Sequence, residues 1–172
     1  MSSFAKPVGI NVSAGSVPIV QTFEAFYQTE YRSVLALAFV LTGHRTEAED
    51  LAQEAFMSAL KSWSSIENPP AWVRSAVSNK AMSWWRHTYA GRRANRRLDQ
   101  REPVEEIPED SADFWAKVRD LPTRQAQAVS LYYLEDRSTI EIAGILGCDV
   151  STVRIHLSRG RKTLATRLGV TE

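Results

Sequence analysis

Cysteine is almost absent from this chain: Cys148 is the only one among 172 residues. That excludes an internal disulfide and fits a reducing cytoplasm. Long apolar runs are missing as well. No uninterrupted segment is long enough to span a bilayer, so no membrane insertion is expected. The first twenty residues are weakly apolar, but Pro7, Gly9, Gly15 and Pro18 break them up and Lys6 is their only charge. Such a segment fits neither a signal peptide nor an anchor, and residues 1–20 read as a disordered lead-in. No alternating strand pattern and no internal repeat stand out. A glycine-rich phosphate loop, an HExxH pair and a nucleophile elbow are also lacking, which leaves little ground for an enzyme.

Charge is segregated by sign in two places, one without any acid and one with a single cation, although the formal net charge is only +1. From Lys80 to Arg97 there are six cations (Lys80, Arg86, Arg92, Arg93, Arg96, Arg97) and no acid. From Leu98 to Asp113 there are seven acids (Asp99, Glu102, Glu105, Glu106, Glu109, Asp110, Asp113) against Arg101 alone. A basic block followed by an acidic, proline-bearing one buries little apolar surface, so 98–112 reads as a flexible acidic linker. The expected fold is all-α, with two small helical domains at 21–97 and 113–169.

The stretch from Leu121 to Leu168 is the most informative. Thr139 to Gly147 is a short helix with Ile140, Ala143 and Leu146 at helical spacing and a glycine stop. Cys148, Asp149 and Val150 make a turn, where Cys148 is expected as a small packed residue rather than a reactive thiol. Ser151 is expected to cap the next helix. In it Val153, Leu157, Leu164 and Leu168 share one side, with Gly160 allowing close packing. A rotation of about 100° per residue puts Ser151, Ile155, Ser158, Arg159 and Lys162 opposite, flanked by Thr152, Arg154 and His156. That is the layout of a helix entering a major groove, with cations for phosphate and guanine and an apolar contact for a thymine methyl. The bland reading is a solvated surface helix, since cations also suit a helix C-terminus. The short helix and tight turn ahead of it favour DNA.

Nearer the N-terminus, Thr22 to Leu41 has a helical period and Gly43 is its stop. Thr46-Glu47-Ala48-Glu49 reads as a capping box. The helix it opens faces Ala48, Leu51, Ala52, Ala55, Phe56, Ala59, Leu60 and Trp63 inward, and Asp50, Gln53, Glu54, Met57 and Lys61 outward. Acids around an exposed methionine suit docking onto a basic protein, and equally describe an ordinary solvated face. After Asn68-Pro69-Pro70, a third helix turns Val73, Ala76, Val77 and Trp84 inward. Trp72, Ser75, Asn79, Met82 and Arg86 fall outward, with Arg74, Lys80 and Trp85 at the margins. Exposed rings among amides and cations suit single-stranded nucleic acid, where bases stack while cations follow phosphates. The competing reading places the tryptophans in the core.

Three segments together resemble one family: TEAEDLAQEAFMSAL, then NPPAWVRSAVSNKAMSWWRH, then LPTRQAQAVSLYYLEDRSTIEIAGILGCDVSTVRIHLSRGRKTLATRL. In order, spacing and linker position they are similar to the extracytoplasmic-function sigma factors, the two-domain branch of the sigma-70 class, over roughly Phe23 to Leu168. The LSRGR run resembles actinobacterial members. The resemblance implies a subunit that binds core RNA polymerase, recognises −35 and −10 promoter elements and melts DNA. It places Asp50, Gln53, Glu54 and Met57 on the clamp coiled coil of the β′ subunit, with further contacts to β. It places Trp72, Arg74, Asn79, Lys80, Trp85 and Arg86 on the −10 region, duplex and single-stranded, with Asn68 at a flipped base. Ser151, Thr152, Arg154, Ile155, His156, Ser158, Arg159 and Lys162 then read the −35 element, Arg154 and Arg159 foremost. Ile155 departs from the family, which often has a small polar residue there. The linker would thread toward the RNA exit path. No catalytic residue, cofactor or metal is implied. The location implied is the cytoplasm at the nucleoid, and control by an anti-sigma factor stays open. Two alternatives compete: a stand-alone helix-turn-helix regulator, and a helical enzyme using His44, Glu47 and Asp50.

Overall fold

The computed structural model describes residues 21–89 and 107–170, and every regular element within them is helical. The lead-in 1–20, the cations from Arg92 to Arg97 and the acids from Asp99 to Glu106 lie outside the described residues.

Helix α1 spans Phe23–Thr42. Thr22 Oγ1 accepts from the Ala25 amide, and the helix ends where Gly43, at φ 75°, returns its N–H to the Phe39 carbonyl. Helix α2 spans Arg45–Lys61 and has His44 at its N-cap, with no side-chain capping bond. The capping box expected at Thr46 is therefore corrected. Thr46 already lies inside the first turn, and the bend before it is tied by Thr42, whose Oγ1 donates to the Ala38 carbonyl and accepts from the His44 amide. Helix α3, Pro69–Tyr89, opens with Asn68 Oδ1 accepting from the Ala71 amide. Phe23, Phe26, Tyr27, Tyr31, Phe56 and Trp63 form a continuous ring cluster between α1 and α2, with centroids 5.0–6.4 Å apart. Aromatics of this size bring large buried areas to a small domain.

After a short turn at Glu109–Ser111, α4 (Ala112–Arg119), α5 (Thr123–Tyr133), α6 (Thr139–Leu146) and α7 (Val150–Leu168) follow. Ile107, ahead of α4, is already buried in the core. The α6 start carries a true capping box: Ser138 Oγ accepts from the Glu141 amide while the Glu141 carboxylate accepts from the Ser138 amide. That hydrogen bond from the Ser138 backbone, against a smaller cost of burial, holds the Glu141 carboxyl below its usual range. Two sequence expectations change here. Ile140 is 70% exposed, and Ile142, Ala143, Ile145 and Leu146 form the inner face of α6 instead. The N-cap of α7 is Asp149, without a side-chain bond, so Ser151 sits within the first turn rather than capping it.

The core is a single contiguous cluster that joins both halves of the chain. Helix α1 packs on α4 and α5 as well as on α2 and α3, and α3 packs on α6.

Candidate nucleic-acid interface

Helix α7 buries Val153, Leu157, Gly160 and Leu164 against its neighbours. Its period then forces Ser151, Arg154, Ile155, Ser158, Arg159 and Lys162 to the opposite side, and all six are exposed; Thr152 and His156 are half-buried at the edge. Burial, followed by the charges of Arg124 and Arg159, keeps His156 below the usual imidazole range, so it joins this face as a neutral ring. Close approach of α7 to α5 depends on Gly160, where a Cβ would stand 2.9 Å from Val129 Cγ2. Cys148, in the turn before α7, is half-buried, and burial pushes its thiol up, as suits a packing residue.

The outer face of α2 presents Asp50, Gln53, Glu54 and Met57 to solvent, Met57 with 61% of its surface exposed. Burial first, then the neighbouring Asp50 and Glu54 charges, raises the Glu47 carboxyl. Lys80 Nζ reaches across from α3 to Glu54, 3.3 Å away. Leu60, expected inward, is 53% exposed and extends the apolar part of this face beside Met57. His44 is engaged elsewhere. Its Nε2 lies 2.5 Å from the Tyr89 hydroxyl, and its ring meets Trp84 edge-on. Among the described residues no group of three or more His, Cys, Asp or Glu is placed to hold a metal ion.

Helix α3 departs most from expectation. Trp72, Ser75 and Asn79, with Asn68 before the helix, line one wall of a cleft of about 500 Å³. The opposite wall is Arg124 and the end of α6, Gly144–Gly147. Arg86 is exposed at the far end of the same helix. Arg74 and Trp85, expected among the DNA contacts, are corrected. Arg74 is 1% exposed, its Nε 2.5 Å from Glu135 Oε2 and its Nη2 2.7 Å from Glu30 Oε2. Burial opposes this guanidinium's charge, but Glu135 and Glu30 outweigh it and hold the group above its ordinary value. Trp85 is buried between Tyr89, at a centroid distance of 4.1 Å, and the Arg119 guanidinium, 5.3 Å from the ring centre. Met82, expected outward, is also buried. Arg74 and Trp85 share a cause: each meets a residue of the C-terminal half, Glu135 and Arg119 respectively, which the period of α3 alone does not announce.

Residues that sequence reasoning passed over also meet across the two halves. Gln127 Nε2 donates to Asn79 Oδ1 at 2.7 Å, and Arg86 Nη2 donates to the Leu121 carbonyl at 2.7 Å. Arg119 Nη1 donates to the Val40 carbonyl at 2.9 Å. No local pattern announces partners 35 to 79 positions apart.

Comparison with known proteins gives two matches to family models: sigma-70 region 2 over residues 26–99, and sigma-70 region 4 over residues 112–164. A probable RNA polymerase sigma factor, RfaY of Xanthomonas campestris, is 28% identical over 150 residues, which is 79% of this chain and 38% of that one. The extracytoplasmic-function sigma factor EcfG of Rhodopseudomonas palustris is 29% identical over 148 residues, 80% of each. SigW of Bacillus subtilis, of the same type, is 26% identical and covers 78% of this chain and 82% of its own. Thus the chain spans well under half of the first relative and about four-fifths of the other two. Among solved structures, the sigma factor RpoE of Bartonella quintana in complex with the anti-sigma factor NepR superposes with a TM-score of 0.68. It is 25% identical and covers 89% of this chain and all of that one.

Proposed function

This chain belongs to the sigma-70 family, in its extracytoplasmic-function branch, and from that premise we propose how its surfaces divide the work of starting transcription. The N-terminal unit, 21–97, docks on core RNA polymerase through Asp50, Gln53, Glu54 and Met57, whose acids complement a basic coiled coil on the β′ clamp while the adaptable methionine fills the apolar gap. The C-terminal unit, 113–169, reads the −35 element through the exposed face of α7. Arg154 and Arg159 supply bidentate donors and Ile155 an apolar contact. Trp72, Asn79, Lys80 and Arg86, with Asn68 at the cleft, take up the separated −10 strand. Opening a duplex costs stacking, which a factor without a nucleotide engine recovers by binding the unpaired bases and their phosphates. Polymerisation chemistry stays with the partner enzyme, and no cofactor enters. The acidic linker runs toward the RNA exit path, the site of action is the cytoplasmic nucleoid, and the LSRGR run supports an actinobacterial type. An anti-sigma factor as regulator is supported by the complex in which the RpoE neighbour was solved.

One observation carries this reading: two outward faces of opposite sign stand on α2 and α7, each opposite a buried apolar face of the same helix. The test is reconstitution with core polymerase. Asp50→Ala with Glu54→Ala should keep the helical fold, read by circular dichroism, yet lose association with core polymerase and initiation at mapped start sites. Retained association would favour the stand-alone regulator instead.

A further inference from the structure

We infer that Ile155 ties −35 recognition by this chain to a pyrimidine C5-methyl group, carried about two base pairs from the guanine that Arg159 holds. The inference rests on the −35 role given to α7 above and adds the base that the helix selects.

Ile155 does not match the chemistry of the face it stands on. It is 48% exposed, on the side of α7 opposite Val153, Leu157 and Leu164. Its neighbours on that face, three and four residues away, are Ser151, Thr152, Ser158 and Arg159, so no apolar side chain of the helix covers it. Hydroxyls and cations there are at home in water, and an isoleucine is not. Its β-branch holds χ1 nearly fixed in a helix. The side chain is therefore a stiff apolar knob that loses little freedom on contact.

A base pair offers such a knob one match. The major-groove edges carry hydrogen-bond donors and acceptors, and the C5-methyl of thymine is the apolar group among them. Pressed against a bare donor or acceptor, Ile155 strips it of water and returns no hydrogen bond, which is unfavourable. The same side chain thus favours a methyl and penalises a polar edge in its place. 5-Methylcytosine carries its methyl at the same ring position as thymine, so both bases present the group that Ile155 fits. The register follows from helix geometry. Four residues advance about 6 Å along α7 and base pairs stack about 3.4 Å apart, so Ile155 and Arg159, in one row, meet edges about two base pairs apart.

The test uses holoenzyme assembled from the full chain and core polymerase, on a promoter found by start-site mapping. Each −35 thymine, on either strand, is replaced in turn by uracil, which removes the methyl and nothing else. One replacement should weaken closed-complex binding about fourfold, the effect of burying a single methyl group. It should lie about two base pairs from the guanine whose protection Arg159→Ala removes. At that position 5-methylcytosine should bind better than cytosine by the same factor. Ile155→Ser should bind thymine and uracil alike, while Ile155→Val, which keeps the β-branch, should retain part of the preference. Both change an exposed residue, and circular dichroism should show the helical content of the unsubstituted chain. Equal binding of thymine and uracil at every position overturns the inference and leaves a solvated isoleucine; so does a preference that survives in Ile155→Ser. A methyl response elsewhere in the element, or no guanine that depends on Arg159, overturns the register. A thymine preference without one for 5-methylcytosine overturns the extension to methylated cytosine. Initiation by the unsubstituted holoenzyme with no protection at −35 sinks the −35 role itself, a result distinct from an even response to the methyl.

Discussion

Gly160 lies where α7 comes closest to α5, and the space beside it belongs to Val129. Alanine there gains helix propensity, about 1 kcal/mol. Its Cβ, however, would meet a buried β-branched side chain held stiff at χ1, and such overpacking costs about 1–3 kcal/mol. Gly160→Ala should therefore lower the melting temperature, whereas the same change in a Val129→Ala background should stabilise; thermal unfolding of the four proteins decides it. On the outer side of the same helix, Arg154 and Arg159 project from exposed positions. Replacing either with alanine should weaken −35 recognition by about 1–3 kcal/mol if it holds a guanine edge by two bonds. Footprinting shows whether protection at that base alone is lost, and an intact footprint removes the residue from the reading set.

At the scale of elements, α6 is short, only eight residues, so its entry matters more than its propensity. Ser138 and Glu141 satisfy two otherwise orphaned amides there. Ser138→Ala should cost about 0.5–2 kcal/mol, and hydrogen exchange should show the loss first in α6 amides, with α1 and α2 protected as before. Uniform loss across the chain would mean that the cap holds more than its own helix. Helices α2 and α7 are each read correctly in outline from period alone, because each has one side in the core and one in water. Helix α3 is different. It packs on α1, α2 and α6, and a two-faced reading misplaces Arg74, Met82 and Trp85, all of them buried.

Across the whole molecule, Arg119 shows how the halves are joined. It sits in α4, is almost fully buried, donates to α1 at Val40 and lies over Trp85 of α3. Desolvation, only partly offset by Asp120 and Tyr89, pushes its pKa down to about 10, a sign that the charge is poorly compensated. A buried charge of this kind is often replaced by an apolar side chain of similar volume without loss. Arg119→Met should thus match or exceed the melting temperature of the unsubstituted chain, whereas Arg119→Ala, which leaves a cavity, should fall by about 2–5 kcal/mol in stability. Should both variants destabilise alike, the guanidinium itself is what the joint requires.

Periodicity and punctuation outlined α1, α2, α6 and α7 from the residues alone, since Thr22 and Gly43 bound α1, Gly147 stops α6, and the charged sides of α2 and α7 follow from their apolar ones, whereas α4 and the N-caps of α2 and α7 were not legible there. The resemblance carried by the TEAEDLAQEAFMSAL, NPPAWVRSAVSNKAMSWWRH and LPTRQAQAVSLYYLEDRSTIEIAGILGCDVSTVRIHLSRGRKTLATRL segments, in that order and spacing, added the family. What the linear order left open is the fate of α3, because a hydrophobic or charged residue records only what it prefers as a neighbour and not which neighbour arrives. Glu135 reaches Arg74 and Gln127 reaches Asn79 only once the chain has doubled back. Tertiary packing alone turned Arg74 from a DNA candidate into a buried link between domains, since a guanidinium serves a phosphate or a carboxylate equally well and the fold supplies the carboxylate.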